Sequence, residues 1–199
     1  MKIINIVTLI SNGDFSKSEE YKALEEDVLN AIKNIENPEG SGLFILNPGK
    51  HVNGVKHIKN NFISHLQSKG WQDEKEADKF IKPRRIDASY KFPTENKYFG
   101  VEWETGNISS SHRAINRLLL GMYEEALLGG ILVLPSRKMY NYLTDRTGNF
   151  KELEPYIPLW QLFSNNIQNG VLKIIEIEHD DISDEILPFD KGTDGRALK

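Results

Sequence analysis

Apolar residues recur along this chain at two spacings, and the switch between them lays out the order of elements. Ile3 to Ile10 reads as a strand, closed by the polar turn Ser11-Asn12-Gly13-Asp14. From Ser16 to about Ile35, Tyr21, Leu24, Val28, Ala31 and Ile32 return every three or four residues, which predicts a helix with one buried face. Gly42 to Leu46 predicts a short buried strand, ended by Asn47-Pro48-Gly49. Residues 55–69 predict a second helix, with Val55, Ile58, Phe62, Ile63 and Leu66 inward. A long helix is expected from about Ser109 to Leu128 on Ile115, Leu118, Leu119, Met122 and Ala126, with Gly129-Gly130 ending it. Ile131 to Leu134 is all apolar, as in a strand covered on both faces. A helix around 150–163 and a strand over 171–177 complete a mixed α/β pattern without internal repeats.

One strand carries charge where the others carry none. In Gly100-Val101-Glu102-Trp103-Glu104-Thr105-Gly106-Asn107, side chains alternate faces, so Glu102 and Glu104 share one face and Val101 and Trp103 the other. Phe92 to Lys97 has the Pro and Asn of a turn. A hairpin folding symmetrically about Thr94 and Glu95 sets Asp87 across from Glu102, and Arg85 across from Glu104. Neighbouring carboxylates repel and need a compensating cation, and a hard divalent ion such as Mg²⁺ prefers their oxygens. The alternative is a solvated strand face whose acids pair with Lys82, Arg84 and Arg85.

Three further stretches bear chemistry. Thr105 to Arg113 stacks capping residues at the start of the long helix, where free amides suit a phosphate or base edge as well as a simple cap. His112 reads as a surface or packing residue, with no second His at ligand spacing. Asp145-Arg146 lies in a loop between helices; such a pair can be a surface ion pair, or can read cytosine and guanine in a major groove. The glycine-punctuated tail from Asp190 to Lys199 reads as disorder or as an arm that orders on a partner.

Composition narrows the field. At 199 residues, 39% hydrophobic and 27% charged, the chain suits one globular domain. Zero cysteines exclude a disulfide scaffold and a Cys-based zinc site, and fit the expected cytoplasmic location. No apolar run approaches the ~20 residues of a membrane span, and Met1 to Val7 is too short for a signal peptide. A net charge of −4 argues against an indiscriminate nucleic-acid coat, not against an enzyme whose positive charge is local.

Taken together, Gly100 to Ser110, His112-Arg113, Leu118-Leu119-Leu120-Gly121, Tyr142 to Arg146, Glu152 to Tyr156 and Lys191 to Gly195 resemble, in order, the BamHI family of type II restriction endonucleases. That family is part of the PD-(D/E)xK nuclease superfamily, and the resemblance is clear after about residue 50 and weak before it. It implies an α/β fold with a central mixed β-sheet flanked by helices on both sides, in one domain over 1–199 with 188–199 as a C-terminal arm. It further implies hydrolysis of double-stranded DNA at a palindrome, GGATCC cut after the first G to leave 5′-phosphate overhangs, by a Mg²⁺-dependent homodimer in which Mn²⁺ can substitute. Asp87, Glu102 and Glu74 match acidic metal ligands, with the Trp103 carbonyl near the ion. Glu104 stands where most of the superfamily has Lys, and would act on the attacking water. Asn107, Ser109, Arg113, Asp145 and Arg146 match major-groove readers, Lys59 a DNA-contacting lysine, and Gly192 and Asp194 a minor-groove arm. The chain departs from the pattern at Arg196, which replaces a methionine, and at Tyr123-Glu124, which replaces a basic pair at the subunit contact. Another Mg²⁺-dependent repair or recombination nuclease, or a catalytically silent DNA-binding protein, are the competing classes.

Overall fold

The computed structural model describes residues 1–74, 85–144 and 147–191. Asp145, Arg146, Gly192, Asp194 and Arg196, like the candidate ion-pair partners Lys82 and Arg84, lie outside the described residues.

A six-stranded mixed sheet forms the centre. Its strands are β1 (Lys2–Asn12), β3 (Gln72–Asp73), β4 (Ala88–Lys91), β5 (Tyr98–Trp103), β6 (Leu127–Pro135) and β7 (Gly170–Glu178), in the order β1-β7-β6-β5-β4-β3. β5, β6 and β7 run parallel, and antiparallel strands close both edges. β2 (Ile45–Leu46) and β8 (Asp181–Ile182) form a separate parallel pair.

Strand alternation divides the core in two. Phe99, Val101 and Trp103 of β5, with Ile131 and Val133 of β6, face α1 (Glu19–Lys33) and α2 (Lys56–Ser68). Tyr98, Leu132, Leu134, Leu172 and Ile174 face the other layer, where α3 (Ile108–Tyr123) buries Ala114, Ile115, Leu118 and Met122. The expected mixed sheet with helices on both sides is therefore the observed fold. Removing these apolar side chains from water is its main driving force.

Two predicted boundaries move. The long helix stops at Tyr123 rather than Leu128, and Glu125 takes a left-handed φ of 58° to reverse the chain. Gly129 and Gly130 then lie inside β6, not at a helix end. Added Cβ atoms there would meet the Val171 carbonyl oxygen at 2.4 Å and Leu118 Cδ2 at 2.8 Å. The glycines thus serve close strand and helix approach, and the apolar spacing over Ala126 to Leu128 belongs to a buried strand. The expected helix at 150–163 is broken into α5 (Phe150–Leu153), α6 (Ile157–Gln161) and intervening 3-10 turns, with Pro155 and Pro158 removing amide donors. A short α4 (Arg137–Tyr140) precedes them, capped by Ser136.

Candidate active site

The hairpin register is the one its turn symmetry predicts. Ala88 pairs with Val101 and Ser89 with Gly100, so the residue preceding β4, Asp87, falls beside Glu102. Asp87 reaches past the end of the ladder: its Oδ2 accepts the backbone N–H of Trp103 at 2.9 Å. The register does not run on to Arg85. That residue has a φ of 49°, which turns the chain out of the strand before it could oppose Glu104.

Glu102 points to the α3 side of the sheet, opposite Trp103, and is only 2% exposed. Trp103 packs on the other side against Phe62 of α2, ring centroids 4.6 Å apart. Among the described residues, two cations from helices on opposite faces of the sheet meet these acids. Lys59 of α2 places Nζ 2.6 Å from Asp87 Oδ1. Arg117 of α3 places Nε 2.8 Å from Glu102 Oε1, although neither atom finds an aligned hydrogen bond.

Burial, the nearby Asp87 charge and Glu104 push the Glu102 carboxyl well above the usual carboxylate range, against the pull of Arg117 and Lys59. Glu104 is also raised, first by burial, although the Gly106 N–H it accepts at 2.8 Å works the other way. In both groups burial disfavours the charged form, which is how acids at functional sites are commonly tuned.

Among the described residues, no group of three His, Cys, Asp or Glu side chains is gathered so as to hold a metal ion. Each acid instead has a protein neighbour: Asp87 accepts from the Lys59 ammonium, Glu102 forms an ion pair with the Arg117 guanidinium, and Glu104 accepts from the Gly106 amide. The two-acid pair itself suits a hard divalent cation. Its donors are carboxylate oxygens, and Glu102 Oε1 is buried without a hydrogen bond. Glu74 lines the same open cleft, of about 360 Å³, as Asp73, Lys59 and Asp87.

The DNA-facing expectations fall on the edge of this site. Asn107 is the N-cap of α3, its side chain accepting from the Ser110 N–H at 3.1 Å, and it is exposed like Ser109 and Arg113. Arg113 is held by Ser110 Oγ at 2.7 Å. His112 packs against Tyr156 and Trp160, as its lone position predicts.

Two contributors escaped the sequence reading. Arg117 stands one helical turn beyond Arg113, a spacing that signals a shared face but not an acid beneath it. Asn53, fully buried, donates to the carbonyls of Tyr142 and Asn47 and accepts from the Thr144 N–H, while the Gly54 N–H donates to the Phe189 carbonyl. The stems leading to 145–146 and to the C-terminal arm are thereby tied to one segment. A lone Asn in a turn-like stretch gives no hint of this in sequence.

Comparison with known proteins agrees with this geometry. The family model described as restriction endonuclease BamHI matches residues 1–196, so the likeness also covers the first 50 residues, where the motifs are weak. The type II restriction enzyme OkrAI of Oceanobacter kriegii is 46% identical over 201 residues, covering 100% of both chains. The type II restriction enzyme BamHI of Bacillus amyloliquefaciens is 42% identical over 122 residues, 58% of this chain and 57% of that one. The crystal structure of the restriction endonuclease BglII with a DNA 16-mer superposes with a TM-score of 0.62 at 11% identity, over 90% of this chain and 79% of that one, a likeness of fold. With the family model spanning nearly every residue and a full-length relative beside it, the chain belongs to the BamHI family and is a type II restriction endonuclease.

Proposed function

We propose that the enzyme cleaves double-stranded DNA at the palindrome GGATCC after the first G, leaving 5′ overhangs, with Mg²⁺ as its ion and a homodimer as its working form. The observation that carries this reading is the pairing of Asp87 with Glu102 at the foot of α3, whose first turn presents Asn107, Ser109 and Arg113. One acid pair and one reading edge then sit within a single rigid element junction.

Asp87 and Glu102, with the Trp103 carbonyl, would hold the ion, and Glu74 would contribute from the far side of the cleft. When bound, a divalent cation offsets negative charge developing on the phosphate and makes water more acidic. Glu104, raised by burial, accepts a proton from the attacking water and passes it to solvent. Lys59 turns from Asp87 toward the DNA backbone, since its side chain is 39% exposed and can rotate outward.

Sequence reading falls to Asn107, Ser109 and Arg113 in the major groove, joined by Asp145 and Arg146, with Gly192 and Asp194 reaching the minor groove. A two-fold dimer reads a palindrome, because each subunit meets one half-site. The surface near the end of α3 and around α6 favours such pairing: Leu120, Tyr123, Leu159 and Leu162 are 54%, 63%, 54% and 71% exposed. Trp160 Nε1 donates to Asn116 Oδ1 at 2.9 Å and joins the two elements into one face. With Tyr123 in place of a basic residue, the contact rests more on apolar area than on ion pairs.

Digestion of a mapped plasmid with Mg²⁺ and with chelator, followed by sequencing of the ends, tests the reading. Ends confined to GGATCC and seen only with metal are the expected result. Ends elsewhere would refute the specificity and leave the nuclease.

A further inference from the structure

Arg117 touches both chain segments that deliver the acidic pair. Its Nε stands 2.8 Å from Glu102 Oε1 on β5. Its Nη1 donates to the Arg85 carbonyl at 3.3 Å, two residues before Asp87. The ladder between β4 and β5 begins only at Ala88, so Asp87 has no ladder pair of its own and is held through its side chain, by the Trp103 N–H and by Lys59. The backbone leading into Asp87 is left-handed at Arg85, a conformation that L side chains adopt only when their surroundings impose it. The Arg117 contact is one of those surroundings.

We propose that Arg117 is a positioning residue, a crossbar whose guanidinium sets the spacing of Asp87 and Glu102 and so the affinity of the pair for a divalent cation. The inference rests on the reading of that pair as the metal-binding site. A guanidinium suits the task, because its rigid planar group can stand as an ion pair beside the carboxylate while another of its nitrogens donates to the carbonyl. A lysine ammonium is a point charge and cannot span both. Position adds to the case: the helix that carries Arg117 is also the one whose first turn bears Asn107 and Ser109, and it packs on β6 through Leu118 against Gly130. The crossbar is therefore anchored in the body of the protein rather than in a surface loop.

Charge alone predicts the reverse outcome. A cation 2.8 Å from Glu102 repels an incoming divalent ion, so its removal would tighten metal binding if electrostatics were its only effect. Geometry predicts that removal loosens binding, because two acids without a fixed separation lose preorganisation.

The test compares wild type, Arg117→Lys and Arg117→Met as full-length protein. Mn²⁺ binding is followed by the paramagnetic resonance signal of the free ion, with Glu102→Ala as the control for the site. Binding of a GGATCC duplex in chelator is followed by fluorescence anisotropy. Both Arg117 variants are expected to hold Mn²⁺ at least about tenfold more weakly, the size typical of losing an outer partner of a metal ligand, while duplex affinity in chelator stays close to wild type. Methionine binding Mn²⁺ as tightly as wild type, or more tightly, overturns the crossbar. Lysine matching wild type shows that the two-pronged guanidinium is not required and overturns it too, as does a parallel loss of duplex binding, which marks a structural role. A wild-type protein whose Mn²⁺ binding is unchanged by Glu102→Ala refutes the metal reading of the pair itself, and the crossbar falls with it.

Discussion

Asp87 and Trp103 are joined by a hydrogen bond from the Trp103 backbone amide to Asp87 Oδ2, 2.9 Å long, beyond the last ladder pair of the β4–β5 hairpin. This bond extends the hairpin by one side chain and ties Asp87 to the residue next to Glu102. It also turns Oδ1 toward Lys59, so one carboxylate is shared between a strand amide and a helix-borne ammonium.

Loss of the buried acid should separate cutting from binding. Glu102→Ala is expected to reduce cleavage of a GGATCC plasmid by about 10⁴-fold or more, the scale of losing a central catalytic group, while the duplex is still bound specifically. Band-shift titration with cognate and scrambled duplexes checks this. Joint loss of both activities would assign Glu102 to the fold instead.

The raised Glu102 carboxyl makes a prediction of definite sign. A carboxyl whose folded value lies above its ordinary value of 4.5 is penalised once pH rises past that value, and the penalty grows until pH passes the folded value. Glu102→Gln removes this group from the titration. In chelator, the stability of the variant relative to wild type should therefore rise as pH climbs above 4.5 and level off once the folded value is passed, as measured by melting curves. A difference that never rises above pH 4.5, or that narrows as pH climbs, would contradict the assigned burial cause. Divalent cation added at pH 8 should stabilise wild type and leave the variant little changed.

Trp103 supports the site from the opposite face of β5. Packed against the tilted ring of Phe62 and 2% exposed, it should cost roughly 3–5 kcal/mol when truncated to Ala, visible as a lowered urea midpoint. Its indole Nε1 is buried without a hydrogen-bond partner. Trp103→Phe deletes that orphan donor along with some apolar area, and is expected to lose far less stability than the alanine variant. Equal losses would show that the indole itself, and not the buried area or the cavity left by its removal, accounts for the stability.

The apolar face around α6 is expected to mediate self-association. Leu162→Asp, on a side chain 71% exposed, places charge where two copies would meet and leaves the monomer core untouched. Sedimentation should give a dimer for wild type and a monomer for the variant, with plasmid cutting reduced in step. A wild-type monomer at micromolar concentration that still cuts both strands would reject the pairing.

Much of the site's framework was legible in the residues because it depends on local rules. Alternation along β5 assigns Glu102 and Trp103 to opposite faces, and the two cores confirm that division. The symmetry of the Phe92 to Lys97 turn sets the hairpin register, which places Asp87 beside Glu102. Apolar periodicity likewise finds the inward faces of α1, α2 and α3. It failed at Ala126 to Leu128, where a buried strand and a helix end share one pattern of apolar residues, and glycines that look like a terminator serve close packing.

What the chain determines by itself is therefore which acids can lie together, since turn geometry and strand alternation act over a few residues. Which cations meet them was decided by the tertiary structure alone. Lys59 comes from a helix 28 residues before Asp87, and Arg117 from the opposite layer of the sheet. Neither contact follows from periodicity or spacing, because it exists only once two helices have packed their apolar faces against the two sides of β5. The physical reason is that register is set by hydrogen bonds between neighbours, whereas the charge balance of a buried site is set by whatever the folded layers bring within reach.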